Sequence, residues 1–331
     1  MARYRRHLAN GAANTYMTWF IVLVINAETK LIAPRLTSAM LLPKSLLLAV
    51  AFITATVARS TTSNGSYVGP ENGHLVIVGG NLQSDSIWQK IIELAGGPDA
   101  PLVVIPTAGG EPTYNESLPS AASLRSNGAR NVTVLHTYDP AVADTEEFVA
   151  PLRGAGGVFF DGGRQWRLVD AYAGTATEGA IQAVLDRGGV VSGSSAGASI
   201  QGSFLARGDT ANNQVMVGDH TVGFGYLKNA AIDQHVLVRN RHFDMFDILR
   251  AYPGLLGIGI DENTALVVHQ NEAAVLEGTY VLVYDSGFWS REELSELKNL
   301  PPPEDRFYFL RPGDKYDLGL RKVIVESETE L

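Results

Sequence analysis

The chain contains no cysteine among its 331 residues. Disulfides, thiolate metal sites and a cysteine nucleophile are therefore excluded, and the fold must be stabilised by packing. Long apolar runs are missing as well. Thr18–Ile25 and Ser45–Val57 are both shorter than the roughly 20 residues a membrane-crossing helix needs. Basic charge is scarce: 26 Lys and Arg stand against 35 Asp and Glu, a formal −9. Six of the bases and one of the acids precede Arg59, leaving 20 against 34 and a formal −14 for the remainder. Such a chain has no general attraction to nucleic acid.

What is present is ample apolar material, 45% of the residues, enough to bury a sizeable core in one large domain or two smaller ones. One domain is the simpler expectation, spanning residues 73–331 after an N-terminal extension of 1–72. Within that extension Ser45–Val57 follows Met40 and Lys44 and precedes the small residue Ala58, which suits a signal peptide over about 40–58 and hence secretion. In this reading residues 1–39 lie upstream of the start, and Arg59–Asn72, rich in Ser, Thr and Gly, form a flexible lead. An ordinary apolar helix at the N-terminus is the alternative. Three sequons begin at Asn64, Asn115 and Asn131, in keeping with a secreted glycoprotein, although chance supplies one or two in a chain this long.

From His74 onward short apolar segments alternate with helical spacing. His74–Val78, Leu102–Pro106, Asn131–Leu135, Gly157–Phe160 and Gly189–Val191 read as strands, and Ser86–Leu94 reads as a helix. Strands apolar on both faces predict a mainly parallel sheet covered by helices, an α/β three-layer sandwich. Ligands of such sheets sit beyond the carboxyl ends of the strands, where Gly79-Gly80, Asp161–Gly163 and Gly193–Ser195 would meet. Arg239–Tyr252 has helical character, and Thr264–His269, Ala273–Leu276 and Tyr280–Tyr284 look like an antiparallel continuation of the same sheet.

Gly189–Ala198 reads as a buried strand, a turn of small residues and a helix, with Ser195 at the bend. Only small neighbours fit so sharp a turn, which pushes a hydroxyl out of the sheet as a nucleophile elbow does. A glycine-rich turn can equally bind phosphate or simply allow close packing. A serine hydroxyl needs a base within reach and a carboxylate to orient that base. Of seven histidines, His235 is the best candidate because Asp233, Gln234, Arg239 and Arg241 cluster around it; His220 and His242 compete. The orienting acid could be Glu262, Asp261 or Asp233.

Taken together, Phe159–Gln165, Gly193–Ser199, Asp233–His235 with Arg239 and Arg241, and Gly257–Ala265 resemble, in order and spacing, the cyanophycinase branch of serine peptidase family S51. The resemblance covers roughly His74–Tyr284. It implies a flavodoxin-like or class I glutamine-amidotransferase-like fold, with Ser195 as nucleophile, His235 as general base and acid, and Glu262 as orienting carboxylate. It further implies an oxyanion hole from the N–H groups of Gly163 and Ala196. Gln165, Asp233, Gln234, Arg239 and Arg241 would line a pocket for a β-aspartyl-arginine substrate. No metal and no cofactor are implied, and homodimerisation is left open.

Two positions depart from the family's pattern. Arg164 stands where an acid is usual, and Asp244 where a base is usual. Reversed charge at the rim of the site would alter preference at a subsite. The expected activity is hydrolysis of amide or isopeptide bonds next to aspartyl residues through an acyl-enzyme; an α-aspartyl dipeptidase and an inactive binding relative are the alternatives. A glutamine amidotransferase is disfavoured because its nucleophile is a cysteine.

Overall fold

The computed structural model describes residues 67–292 and 299–325. The signal-like run over 40–58, the Asn64 sequon and most of the expected leader lie outside them. Residues 67–72, anticipated as the end of a flexible lead, are instead tied to the domain. Val68 N–H donates to Asn271 Oδ1 at 2.9 Å, Gly69 N–H to the Gln270 carbonyl at 2.8 Å, and Asn72 Nδ2 to the Asp186 carbonyl at 3.0 Å. No helix among the described residues is long and apolar enough to cross a membrane.

Among the described residues there are fourteen strands, numbered in chain order. They are β1 His74–Val78, β2 Leu102–Ile105, β3 Val132–Val134, β4 Gly157–Phe160, β5 Val190–Ser194, β6 Gly202–Phe204 and β7 Leu227–Gln234. Then come β8 Leu256–Ile260, β9 Ala265–His269, β10 Glu272–Leu276, β11 Val281–Tyr284, β12 Tyr308–Leu310, β13 Lys315–Asp317 and β14 Lys322–Ile324. The main sheet runs β14-β13-β10-β9-β1-β5-β4-β2-β3. Its half from β1 to β3 is parallel, and β9 joins β1 antiparallel.

In its parallel half both faces of β1, β2, β4 and β5 are buried, as their continuous apolar character requires. Val76, Val78, Leu102, Val104 and Phe159 face one cluster with Ile87, Trp88, Ile91 and Ile92 of helix Asp85–Leu94. Those four helical positions share one side at 3.6-residue spacing. Leu75, Ile77, Val103, Ile105, Val158 and Phe160 face the opposite cluster with helices Glu146–Arg153, Trp166–Tyr172 and Ala176–Asp186.

A second sheet, β12-β11-β8-β7-β6, shares that opposite cluster. In β11, Val281 and Val283 point to the cluster under the main sheet, while Leu282 and Tyr284 point away to Met245, Phe246 and Ile248 of helix Met245–Ala251. Thus β11 does not extend the main sheet as expected. The left-handed Gly278, φ +78°, lies between β10 and β11, and a Cβ there would sit 2.2 Å from Thr264 Oγ1. The helix expected over 239–252 is shorter than its sequence pattern. Residues 235–244 turn instead: His235 and Asn240 are left-handed, and Arg241 N–H donates back to the Val236 carbonyl at 2.7 Å.

Ile258 is 2% exposed between the sheets and Leu320 is 66% exposed. Urea unfolding should show Ile258→Ala losing about 2 to 5 kcal/mol, with Leu320→Ser within about 0.5 kcal/mol of the parent.

Candidate active site

The strand β5 runs directly into the four-residue helix Ala196–Ser199, and Ser195 joins them at φ 58°, ψ −112°. A side chain in so sparsely populated a region stores roughly 1 to 3 kcal/mol of strain. Tight packing holds it there. A Cβ on Gly193 would meet the Gly197 carbonyl oxygen at 2.4 Å, and one on Gly197 would meet the Phe160 oxygen at 2.2 Å. Ser195 N–H donates to the Val78 carbonyl at 3.0 Å, which fixes the elbow to β1.

The imidazole of His235 arrives from the other sheet. Strand β7 ends at Gln234, and His235, φ +55°, donates its N–H to the Gly79 carbonyl at 2.8 Å. Its ring lies against the backbone of Gly80, where a Cβ would come within 2.1 Å of Cε1. Strands β7 and β8 pair in parallel with Gln234 opposite Ile260, so Glu262, two residues beyond β8, emerges beside the imidazole. Three side chains far apart in sequence therefore form one hydrogen-bonded line: His235 Nε2 to Ser195 Oγ at 2.9 Å and His235 Nδ1 to Glu262 Oε1 at 2.6 Å.

The geometry also decides among the competitors. Asp261 accepts the N–H groups of Leu237 and Val238 at 3.0 and 3.1 Å and the Thr279 hydroxyl at 3.0 Å, capping the turn after the histidine. His220 is held by Asp170 at 2.9 Å. Burial lowers the pKa of His235 below the ordinary 6.5; the hydrogen bond to Glu262 opposes that, and Arg239 and Arg241 add to it. A buried, neutral imidazole with a hydroxyl on one nitrogen and a carboxylate on the other is arranged to accept a proton.

Gly163 and Ala196 flank the serine. Gly163 has φ +140°, and a Cβ there would lie 2.1 Å from the Ala108 oxygen; a Cβ on the preceding Gly162 would touch Ser195 Cβ at 3.2 Å. Ala196 opens its helix, where an N–H has no intrahelical acceptor.

The residues expected to line a pocket behave differently. Gln165 Nε2 donates to the carbonyls of Ala206 and Arg207 at 2.6 and 3.0 Å. Asp233 is 1% exposed and grips Arg207 with both oxygens at 2.7 and 2.9 Å. Gln234 Oε1 accepts from buried Arg241 at 3.0 Å. Only Arg239 is exposed. The two departures from the family pattern are engaged inside the chain as well. Arg164 Nη2 donates to the carbonyls of Asp209 and Asn212 at 2.5 and 2.6 Å, and Asp244 Oδ2 accepts from Arg207 at 2.6 Å.

Sequence reasoning missed Arg207, which is fully buried, and nothing in its local pattern marks it. It also missed Asn81, whose Nδ2 donates to Glu262 Oε2 at 3.0 Å, although it follows the Gly79-Gly80 strand end directly. A cavity of about 690 Å³ opens near His74, Lys90 and His269 at the other end of β1. It holds no nucleophile beside a base, so the chemistry rather than the volume selects the Ser195 rim.

Comparison with known proteins shows the family. The sequence profile of Peptidase family S51 matches residues 75–276. The chain is 28% identical over 259 residues to a cyanophycinase from Geminocystis herdmanii, covering 73% of this chain and 93% of that one. It is 29% identical over 262 residues to a cyanophycinase from Synechococcus elongatus, covering 76% and 81%. Among solved structures, a peptidase from an acI-B1 actinobacterium superposes with a TM-score of 0.54 at 25% identity, covering 75% of this chain and 98% of that one.

One acid at the rim makes stability depend on pH. Asp161, which follows β4, accepts the Ser120 hydroxyl at 2.8 Å, and burial pushes its pKa from 3.8 up to about 6. An acid whose folded-state value is raised contributes its stability below pH 4 and loses it as pH rises through 6. Denaturant titrations should find Asp161→Asn more stable than the parent above pH 7, by up to about 3 kcal/mol, with the gain vanishing near pH 4.

Proposed function

The chain belongs to peptidase family S51 and is a serine-type peptidase, and from that premise we propose that it hydrolyses amide or isopeptide bonds next to aspartyl residues, with β-aspartyl-arginine peptides as its substrate class. The line from Ser195 through His235 to Glu262 carries this reading.

Those contacts support the following cycle, with its oxyanion hole taken from the family resemblance. His235 Nε2 takes the Ser195 proton as Oγ attacks the aspartyl carbonyl carbon. The N–H groups of Gly163 and Ala196 stabilise the oxyanion of the tetrahedral intermediate, each worth roughly 3 to 4 kcal/mol. The imidazolium, held by Glu262, returns the proton to the leaving amine, and the C–N bond breaks to leave an acyl-enzyme. Water, deprotonated by the same imidazole, then attacks the ester and releases the acid.

Support for the substrate class comes from the curated relatives that bear the name cyanophycinase. Arg239, exposed four residues beyond the base, is the group we assign to a substrate carboxylate. The remaining residues of the resemblance shape the site through the internal contacts described above. We also propose export, on the strength of the signal-like run over 40–58; Asn115 and Asn131 are exposed, as glycan acceptors must be.

A fluorophosphonate probe should label the parent protein on Ser195, and Ser195→Ala should lose labelling together with at least about 10⁴-fold in kcat on β-aspartyl-arginine. Full turnover by Ser195→Ala overturns the reading. Faster cleavage of α-linked than β-linked dipeptides replaces the substrate class with that of an α-aspartyl dipeptidase. Because the neutral imidazole is the competent base and burial lowers its pKa, the acid limb of the kcat/KM profile should have its midpoint below 6.5, with activity falling as pH drops through it.

A further inference from the structure

We infer that Asn81 is a positioning residue for the proposed reaction, one that locks the carboxylate of Glu262 against His235; the inference rests on the serine-hydrolase reading above. Glu262 presents two oxygens. Oε1 takes His235 Nδ1 at 2.6 Å, and Oε2 takes Asn81 Nδ2 at 3.0 Å. The Glu262 side chain is 19% exposed, and with one contact alone a flexible side chain at a rim could rotate toward water. The second contact removes that freedom and sets the plane in which Oε1 meets the imidazole.

Asn81 is itself held. Its Oδ1 accepts Gln83 Nε2 at 3.0 Å, which leaves the amide nitrogen turned toward the carboxylate. Its backbone is left-handed, φ +44°, directly after Gly80, the residue on which the imidazole lies. Asn263 laces the same two loops from the other side: its N–H donates to the Gly80 carbonyl at 2.8 Å, and its Oδ1 accepts the N–H groups of Gln83 and Ser84, both at 2.8 Å. The loop after β1 and the loop after β8 are thereby joined at the carboxylate, and Asn81 is the side chain that reaches it. A hydrogen bond to a charged group is worth roughly a tenfold effect, and here it would act only through the histidine.

The charged groups around the imidazole are Glu262, Arg239 and Arg241. Asn81→Asp tests the inference because it keeps the shape, tolerates the left-handed backbone and turns the donor into a second anion facing Glu262. We expect fluorophosphonate labelling of Ser195 at pH 7 to slow by at least about tenfold. The midpoint of the labelling profile should move to higher pH, since added negative charge favours the imidazolium. Asn81→Gly, which also suits the backbone, should slow labelling about tenfold without that upward shift, and KM for β-aspartyl-arginine should change less than about twofold, as expected of a residue acting through Glu262 rather than on substrate. Thermal melts should stay near the parent. A parent-like rate and profile in Asn81→Asp, with Ser195→Ala unlabelled, overturns the inference and leaves the hydrolase reading standing; a parent protein that is folded yet unlabelled overturns both.

Discussion

The site depends on one backbone hydrogen bond, from the N–H of His235 to the carbonyl of Gly79 at 2.8 Å. It fastens the end of a strand in the second sheet to the end of β1 in the main sheet. Because β5 pairs with β1 and Val78 lies opposite Ser194, Ser195 is then one strand away and the imidazole falls on its hydroxyl. Glycine at 80 is the condition: any Cβ would occupy the space of the ring. Sites positioned by strand ends and backbone bonds hold tighter tolerances than sites on free loops, and this one takes Ser195, His235 and Glu262 from three strand ends.

A second constraint is electrostatic. Strand β7 is buried at its end, yet closes on Asp233 and Gln234, with His235 directly after them. A buried carboxylate is expensive unless matched, and Arg207 matches it with a bidentate pair while reaching Asp244 and the Asn213 carbonyl at 2.9 Å. Such pairs contribute little net stability against well-packed apolar replacements. Their effect here is geometric, binding the segment around 207–214 to β7. Arg164 and Gln165 bind the same segment to the end of β4 through its carbonyls. The inverted charges at 164 and 244 are therefore both engaged by partners within this chain.

The strands β1, β2, β4 and β5 and the helix over 85–94 were legible because apolar period and glycine boundaries suffice to mark them. The second sheet was not. Val281–Tyr284 shows the same apolar character whether it extends one sheet or founds another, and the choice was made by the turn at Gly278 and by the helix that covers Leu282 and Tyr284. Residues 239–244 carry helical spacing but turn, since the chain must reverse at His235 and again at Asn240. Gln165, Asp233, Gln234 and Arg241 were legible as polar groups near a site, but whether a polar group faces substrate or interior depends on a partner such as Arg207 that no local pattern announces.

Residue order alone determined the parallel α/β core, the exclusion of thiol chemistry, the serine at a strained bend and the family to which these motifs point. Each rests on local pattern: two-faced apolar strands, an absent element, and small residues around one hydroxyl. Tertiary structure decided which histidine meets that hydroxyl, which carboxylate meets that histidine and Asn81, and which polar side chains are committed to the interior. The contacts among Ser195, His235, Glu262 and Asn81 join residues 27 to 181 positions apart, and their distances are set by the packing of two sheets, which no stretch of sequence contains.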